Sequence, residues 1–133
     1  MTTAEPTSTQ SPPLIGRLVH LSVQAAGIAG PAWFGWELGG GGISGAALAL
    51  LVCAAFAFLW FGTHAAVDPE PNPLGFVPIR GRIRFALEIA LIIAGGSALW
   101  MAWNRAAGET FLTAAFIDFV IRYPRLATLV RDR

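Results

Sequence analysis

The chain has 133 residues, of which 55% are hydrophobic and 13% are charged, and its formal net charge is +1. A soluble domain of this size has too little interior to bury so much apolar surface, so the composition argues against a soluble enzyme and for a lipid environment. The small net charge gives no basic footprint, and we predict no nucleic-acid partner. The single cysteine, Cys53, excludes an intrachain disulfide.

The first half of the chain contains two long apolar runs. Residues 1–16 open with a polar, proline-bearing segment that predicts a disordered cytoplasmic tail, and residues 17–133 are predicted to form one membrane domain. The runs 18–38 and 43–62 each approach the ~20 residues that a helix needs to cross the hydrocarbon core. Neither run shows the alternation of barrel strands, so we predict two helices joined by the glycines 39–42.

The second half is predicted to contain a loop, two further spans and a tail. Residues 63–82 are rich in proline, which breaks helices, and are predicted to form a long cytoplasmic loop. The third span covers 83–103, and the fourth, which is the weakest, covers about 107–123. In the tail, 124–133, the segment 125–133 is predicted to form a short amphipathic interfacial helix. The predicted fold class is an all-α integral membrane bundle of four transmembrane helices, with two tandem helical hairpins as a further hypothesis.

The distribution of arginine predicts the orientation of the spans. With four spans, both termini and the 63–82 loop lie on one side of the membrane, and the opposite side carries only Arg105. The positive-inside rule then places both termini in the cytoplasm. The arginines on the predicted cytoplasmic side are Arg17, Arg80, Arg82, Arg84, Arg122, Arg125, Arg131 and Arg133.

Aromatic and small residues follow the same plan. Tryptophan and tyrosine are enriched at membrane interfaces, so Trp60 and Tyr123 are predicted to lie in an inner aromatic belt and Trp33, Trp36, Trp100 and Trp103 in an outer one.

Small residues at i,i+4 spacing let helices approach closely in lipid. Such ladders predict helix contacts through Gly45, Ala49, Cys53 and Ala57 on the second span, and through Ala86, Ala90, Ala94, Ala98 and Ala102 on the third.

Four charged residues are candidates for an inner-leaflet ionic network. Arg84 and Glu88 are four residues apart on the third span, and Asp118 and Arg122 have the same spacing on the fourth, so each pair shares a helix face. Structural ion pairing is the favoured interpretation, because the pairs compensate each other. The alternative is transport, in which Glu88 and Asp118 form an ionisable site that moves protons or cations.

The other polar candidates are at the ends of the spans. Glu37 and Arg105 are predicted to pair at the outer face. His20 and His64 are predicted to lie near the cytoplasmic face, where a haem or metal role is a third and weaker hypothesis. We predict no catalytic residue, no metal site and no cofactor, because no nucleophile triad, phosphate loop or zinc-peptidase motif occurs in the sequence.

Residues 60–99 read WFGTHAAVDPEPNPLGFVPIRGRIRFALEIALIIAGGSAL, and residues 118–130 read DFVIRYPRLATLV. Both stretches resemble the YrdB-like family of small bacterial four-helix membrane proteins, a domain of unknown function. In that family an Arg-x-x-x-Glu motif opens helix three, as Arg84 and Glu88 do here. A second such motif opens helix one, where this chain has His20 and Gln24 as a paired polar position. The family pattern has a histidine late in helix four, near the position that Asp118 occupies in this chain. The resemblance implies an architecture and a compartment but no reaction. The residues of this chain that match the family's motif positions are Trp60, Gly62, Asp68, Pro69, Pro78, Arg84, Glu88 and Arg122.

The sequence therefore predicts a multi-pass inner-membrane protein that is not an enzyme and acts through helix or partner contacts. Its predicted partners are the lipid bilayer and either a second copy of the chain or another membrane protein. The second hypothesis is a small ion or solute transporter that works as a dimer, because four spans enclose little room.

Overall fold

The computed structural model describes residues 14–65, 68 and 74–131, and 84% of these residues are helical. The all-α prediction is therefore confirmed. Residues 1–13 of the predicted tail lie outside the described residues, and its last three residues, 14–16, are already helical. The described elements, in chain order, are α1 (Leu14–Leu38), α2 (Gly42–Phe61), β1 (Thr63–His64), β2 (Val77–Pro78), α3 (Gly81–Ala102), α4 (Arg105–Ile121) and α5 (Tyr123–Arg131).

Helix α1 lies at the centre of the bundle. It packs against α2, α3 and α4, while α3 also packs against α4 and α5. Helix α2 packs mainly against α1, so most of its surface faces outward. The successive hairpins α1–α2 and α3–α4 place the starts of α1 and α3 and the ends of α2 and α4 at one end of the bundle. We call this the loop end, because the 62–80 connection and α5 are also there, and the opposite end the turn end.

The two connections at the turn end are short. The α1–α2 turn runs through Gly40, Gly41 and Gly42, whose φ angles are 72°, 71° and 62°. Glycine suits these three positions because a Cβ atom disfavours that left-handed region. The α3–α4 turn ends at Asn104, whose side-chain oxygen accepts a hydrogen bond of 2.8 Å from the backbone N–H of Ala107 and so caps α4.

Glycines also let α1 and α3 approach closely at the middle of the bundle. A Cβ atom added to Gly95 would lie 3.1 Å from the Cα atom and 3.2 Å from the carbonyl oxygen of Gly27. These two backbones are therefore in direct contact. Close backbone approach through small residues is the packing mode that lipid favours, since there is no hydrophobic drive between helices there.

The predicted alanine ladder of α3 is wrong as the contact face of that helix. Of its members only Ala98 is buried, while Ala86, Ala90 and Ala94 are exposed. The buried face instead carries Gly81, Arg84, Glu88, Leu91, Gly95, Gly96 and Ala98. The physical reason is that Arg84 and Glu88 must reach partners inside the bundle, because unpaired charges facing lipid are costly. Their position fixes the rotation of α3 and turns most of the alanines outward.

The connection at the loop end is held by a short backbone ladder. Strands β1 and β2 pair in parallel, with Thr63 opposite Val77 and His64 opposite Pro78. Beside them α5 packs its apolar side onto the bundle, where Leu126 and Leu129 join Ala65 in a buried cluster. The predicted amphipathic segment of the tail is thus a helix, α5, that lies against the ends of α3 and α4.

Two helices, α2 and α3, are long and apolar enough to cross a membrane. In α2 the most apolar stretch has a mean hydropathy of 2.3, and only 6% of it is buried inside the chain, against 28% for α3. A core helix of a soluble protein would be mostly buried. The apolar surface that α2 exposes is of the kind that marks membrane or protein contacts.

Candidate functional site: a buried ionic cluster at the loop end

Charged side chains from three parts of the chain meet inside the loop end. Arg84 and Glu88 come from the first turns of α3, Asp68 from the connection before it, and Arg125 from α5. All four side chains are less than 10% exposed. We call these four residues the ionic cluster. It contains two positive and two negative charges and is electrically balanced.

Arg125 links the two carboxylates of the ionic cluster. Its Nε donates to Asp68 Oδ1 at 2.7 Å and its Nη2 donates to Asp68 Oδ2 at 2.6 Å. The remaining nitrogen, Nη1, donates to Glu88 Oε1 at 3.0 Å. Burial alone would lower the pKa of the Arg125 guanidinium, but the hydrogen bonds and charges of Asp68 and Glu88 outweigh it and hold the pKa above its ordinary value. Arg125 is therefore a permanent cation at this site.

Arg84 joins the ionic cluster to the end of α2. Its Nη2 lies 3.5 Å from Glu88 Oε1 and donates to the Trp60 carbonyl at 3.0 Å. Its Nη1 donates to Thr63 Oγ1 at 3.0 Å, and Thr63 in turn donates to the Leu59 carbonyl. Carbonyl groups at a helix end lack partners within the helix, so Arg84 satisfies an acceptor that would otherwise be buried alone.

A second polar group lies beside the ionic cluster. His20 Nδ1 is 2.9 Å from Asp118 Oδ2, and Arg122 contacts the ring of His20. Asp118 is 6% exposed. We call these three residues the His20 group. It ties the start of α1 to the end of α4.

A small, partly open cavity is lined by residues of both groups. Its volume is about 20 Å³, which is room for one water molecule. Among the described residues, Asp118 Oδ1 and Trp60 Nε1 have no hydrogen-bond partner, and both side chains line the cavity. One is an acceptor and the other a donor, so a single water molecule has a partner of each kind there. The other polar side chains that line it are His20, Glu88, Arg122 and Arg125.

The charge balance limits what this site can bind. The two groups together contain three carboxylates and three guanidinium groups, so a cation would meet as much positive as negative charge. Within the described residues no three histidine, cysteine, aspartate or glutamate side chains are grouped to hold a metal ion. The chemistry present favours mutual charge compensation over capture of an ion.

The sequence-predicted network of Arg84, Glu88, Asp118 and Arg122 is divided between the two groups. Arg84 and Glu88 pair in the ionic cluster as their spacing indicated. Asp118 contacts His20 instead, a residue that the sequence assigned to a separate position with Gln24. Gln24 is buried one turn further along α1. Glu88 and Asp118 still face the same cavity.

Two other sequence predictions do not match the structure. Arg105 does not pair with Glu37: its Nε donates to Glu109 Oε1 at 2.6 Å, because Glu109 lies one turn away on the same exposed helix face.

Trp60 is not part of an interfacial belt. It is 2% exposed, since its ring packs into the space left by Gly27. Tyr123 and the four tryptophans of the predicted outer belt are exposed.

Arg125 and Asp68 are the residues of the site that sequence reasoning missed. Arg125 was counted as one more cytoplasmic arginine, and Asp68 was noted only as part of a resemblance. They lie 57 positions apart, so no helical spacing connects them. The available signal was local: an arginine on the first turn of an amphipathic tail, beside leucines that α5 buries.

Comparison with known proteins identifies no relative: no family model, no curated protein and no solved structure matches the chain. The resemblance to the YrdB-like family therefore stays a prediction.

Proposed function

We propose that the chain is a non-catalytic membrane protein that crosses the bacterial inner membrane four times, with both termini in the cytoplasm, and acts through helix or partner contacts. The observation that carries the structural role is the ionic cluster, in which buried charges from α3, α5 and the 62–80 connection compensate one another. Groups that are occupied with each other hold an architecture together and are poorly placed to exchange a substrate ion.

Several features support four crossings. Helices α2 and α3 are long and apolar enough to span, and few residues of α2 are buried inside the chain. Helix α4 has 17 residues, or about 26 Å at ~1.5 Å per residue, so it needs a thinned bilayer or snorkelling side chains at its ends. Helix α1 is longer, with 25 residues, and two of its polar side chains, His20 and Gln24, point into the bundle.

The exposed charges support the proposed orientation. At the loop end, four exposed arginines have no ion pair with any described residue: Arg17, Arg80, Arg82 and Arg131. At the turn end, Arg105 is neutralised by Glu109, and Glu37 is exposed. The loop end is therefore the more positive one, and the positive-inside rule favours the cytoplasm for it. On the sequence resemblance of residues 60–99 and 118–130, we also propose the YrdB-like family as the family of this chain.

The second candidate function is transport of a proton or cation by a dimer, with Glu88 and Asp118 as the ionisable site. The observation in its favour is the unpartnered Oδ1 of Asp118, a residue that lines the small cavity. The charge balance of the surrounding arginines argues against it.

One substitution separates the two candidates. Glu88→Gln is made in the full chain, which is reconstituted in liposomes containing a pH-sensitive dye and, in parallel, unfolded thermally in detergent. The structural role predicts a lower Tm and no proton flux with either protein. Transport instead predicts flux with the natural chain that Glu88→Gln abolishes while Tm stays unchanged, and that result would reject the structural role.

A further inference from the structure

An apolar groove opens at the loop end, between α5 and the ends of α3 and α4. Its volume is about 290 Å³, close to the ~300 Å³ at which small-molecule pockets begin. The floor is formed by Phe85 and Phe119, whose ring centroids are 6.0 Å apart. Leu126, Ala127 and Val130 of α5 form the wall.

Two arginines stand at one end of this groove. Arg131 lines it directly, and Arg82 Nε donates to the carbonyl oxygen of Val130 at 3.0 Å, which places Arg82 beside it. Both residues are exposed, and neither forms an ion pair with a described residue. An apolar groove and an adjacent pair of cations are complementary to a ligand with a hydrocarbon part and an anionic part.

We propose that this groove binds one anionic phospholipid, with an acyl chain against Phe85 and Phe119 and the phosphate group at Arg82 and Arg131. The proposal rests on the proposed membrane location, in which the loop end and its amphipathic α5 lie at the cytoplasmic interface. Basic pockets between helices on that side are the usual sites for anionic headgroups. A free inorganic anion would gain nothing from the aromatic floor, so the lipid is the occupant that uses both halves of the site.

The test is native mass spectrometry of the full chain in mild detergent, titrated with phosphatidylglycerol or with phosphatidylcholine that has the same acyl chains. We expect phosphatidylglycerol to be retained preferentially, and the preference to fall roughly fivefold in each of Arg82→Gln and Arg131→Gln. Arg105→Gln, which removes an exposed arginine at the turn end, is the matched control and is expected to keep the preference. Equal retention of the two lipids, or an equal loss in Arg105→Gln, overturns the proposal.

A second variant tests the groove without touching a charge. Ala127→Trp fills the wall of the groove with a large side chain and is expected to lower retention of both lipids while Tm in lipid-free detergent stays near that of the natural chain. Unchanged retention in a folded Ala127→Trp protein overturns the groove as the site. Topology mapping of the same variants in cells distinguishes the two proposals: a chain that crosses the membrane as proposed but shows no lipid preference refutes only the lipid site.

Discussion

Arg125 holds Asp68 by two parallel hydrogen bonds of 2.7 and 2.6 Å, joining the last helix to a connection 57 residues earlier in the chain. Planar two-point pairing of this kind is specific to arginine and carboxylate groups. The third bond of the same guanidinium reaches Glu88 on α3. A single side chain thus fixes α5 and the 62–80 connection on the helical bundle.

Arg125→Gln is expected to lower the free energy of unfolding in detergent by about 3–5 kcal/mol, because it removes the guanidinium that hydrogen-bonds both buried carboxylates, Asp68 and Glu88. Thermal unfolding followed by circular dichroism measures the change. Arg131→Gln, on the exposed side of the same helix, is the matched control and is expected to have little effect. A loss of similar size in both variants would show that either substitution on α5 lowers stability and that the buried ion pairs are not the cause.

Glu88 and Arg84 are expected to be energetically coupled. Glu88→Gln alone leaves the ionic cluster with an excess positive charge, so it is expected to be destabilising. Adding Arg84→Gln restores the charge balance and is expected to recover part of the loss, with a coupling energy of about 0.5–3 kcal/mol between contacting residues. The double-mutant cycle is measured by unfolding in the same detergent. Strict additivity of the two single losses would argue that the 3.5 Å contact between these side chains carries no interaction energy.

Gly95→Ala tests the close approach of α1 and α3. The added methyl group would lie 3.1 Å from the Gly27 Cα atom, and backbone cannot move aside as a flexible side chain can. We expect a loss of about 1–3 kcal/mol, the usual effect of overpacking. Ser97→Ala, an exposed site two residues further along α3, is the control and should unfold like the natural chain. If both variants have the natural Tm, the helices are further apart than the structure places them.

The sequence predicted the helices well because hydrophobic run length and glycine or proline breaks are local signals. The i,i+4 pair of Arg84 and Glu88 was also local and was found. Rotation of a helix is not local: the face of α3 is decided by where Arg125 and the Trp60 carbonyl lie, so the alanine ladder, although regular, indicated the wrong face. The same holds for Trp60, whose burial depends on the absence of a side chain at Gly27, far away in the sequence.

The His20 group illustrates a second limit. Nothing in the spacing of the sequence connects His20 with Asp118, which lies 98 positions later. The two meet because the first helix starts where the fourth one ends. The succession of two helical hairpins brings them to the same end of the bundle, but only the packing of α1 against α4 brings them into hydrogen-bond distance.

The central claim, four crossings with the loop end in the cytoplasm, is tested most directly by cysteine labelling in whole cells. In a Cys53→Ala background, single cysteines are placed at the turn end (Ser44→Cys, Asn104→Cys) and at the loop end (Leu74→Cys, Thr128→Cys). We predict that a membrane-impermeant maleimide labels the turn-end cysteines in intact cells and the loop-end cysteines only after permeabilisation. Labelling of Thr128→Cys from the outside together with Asn104→Cys would show that α4 does not cross and would contradict the account.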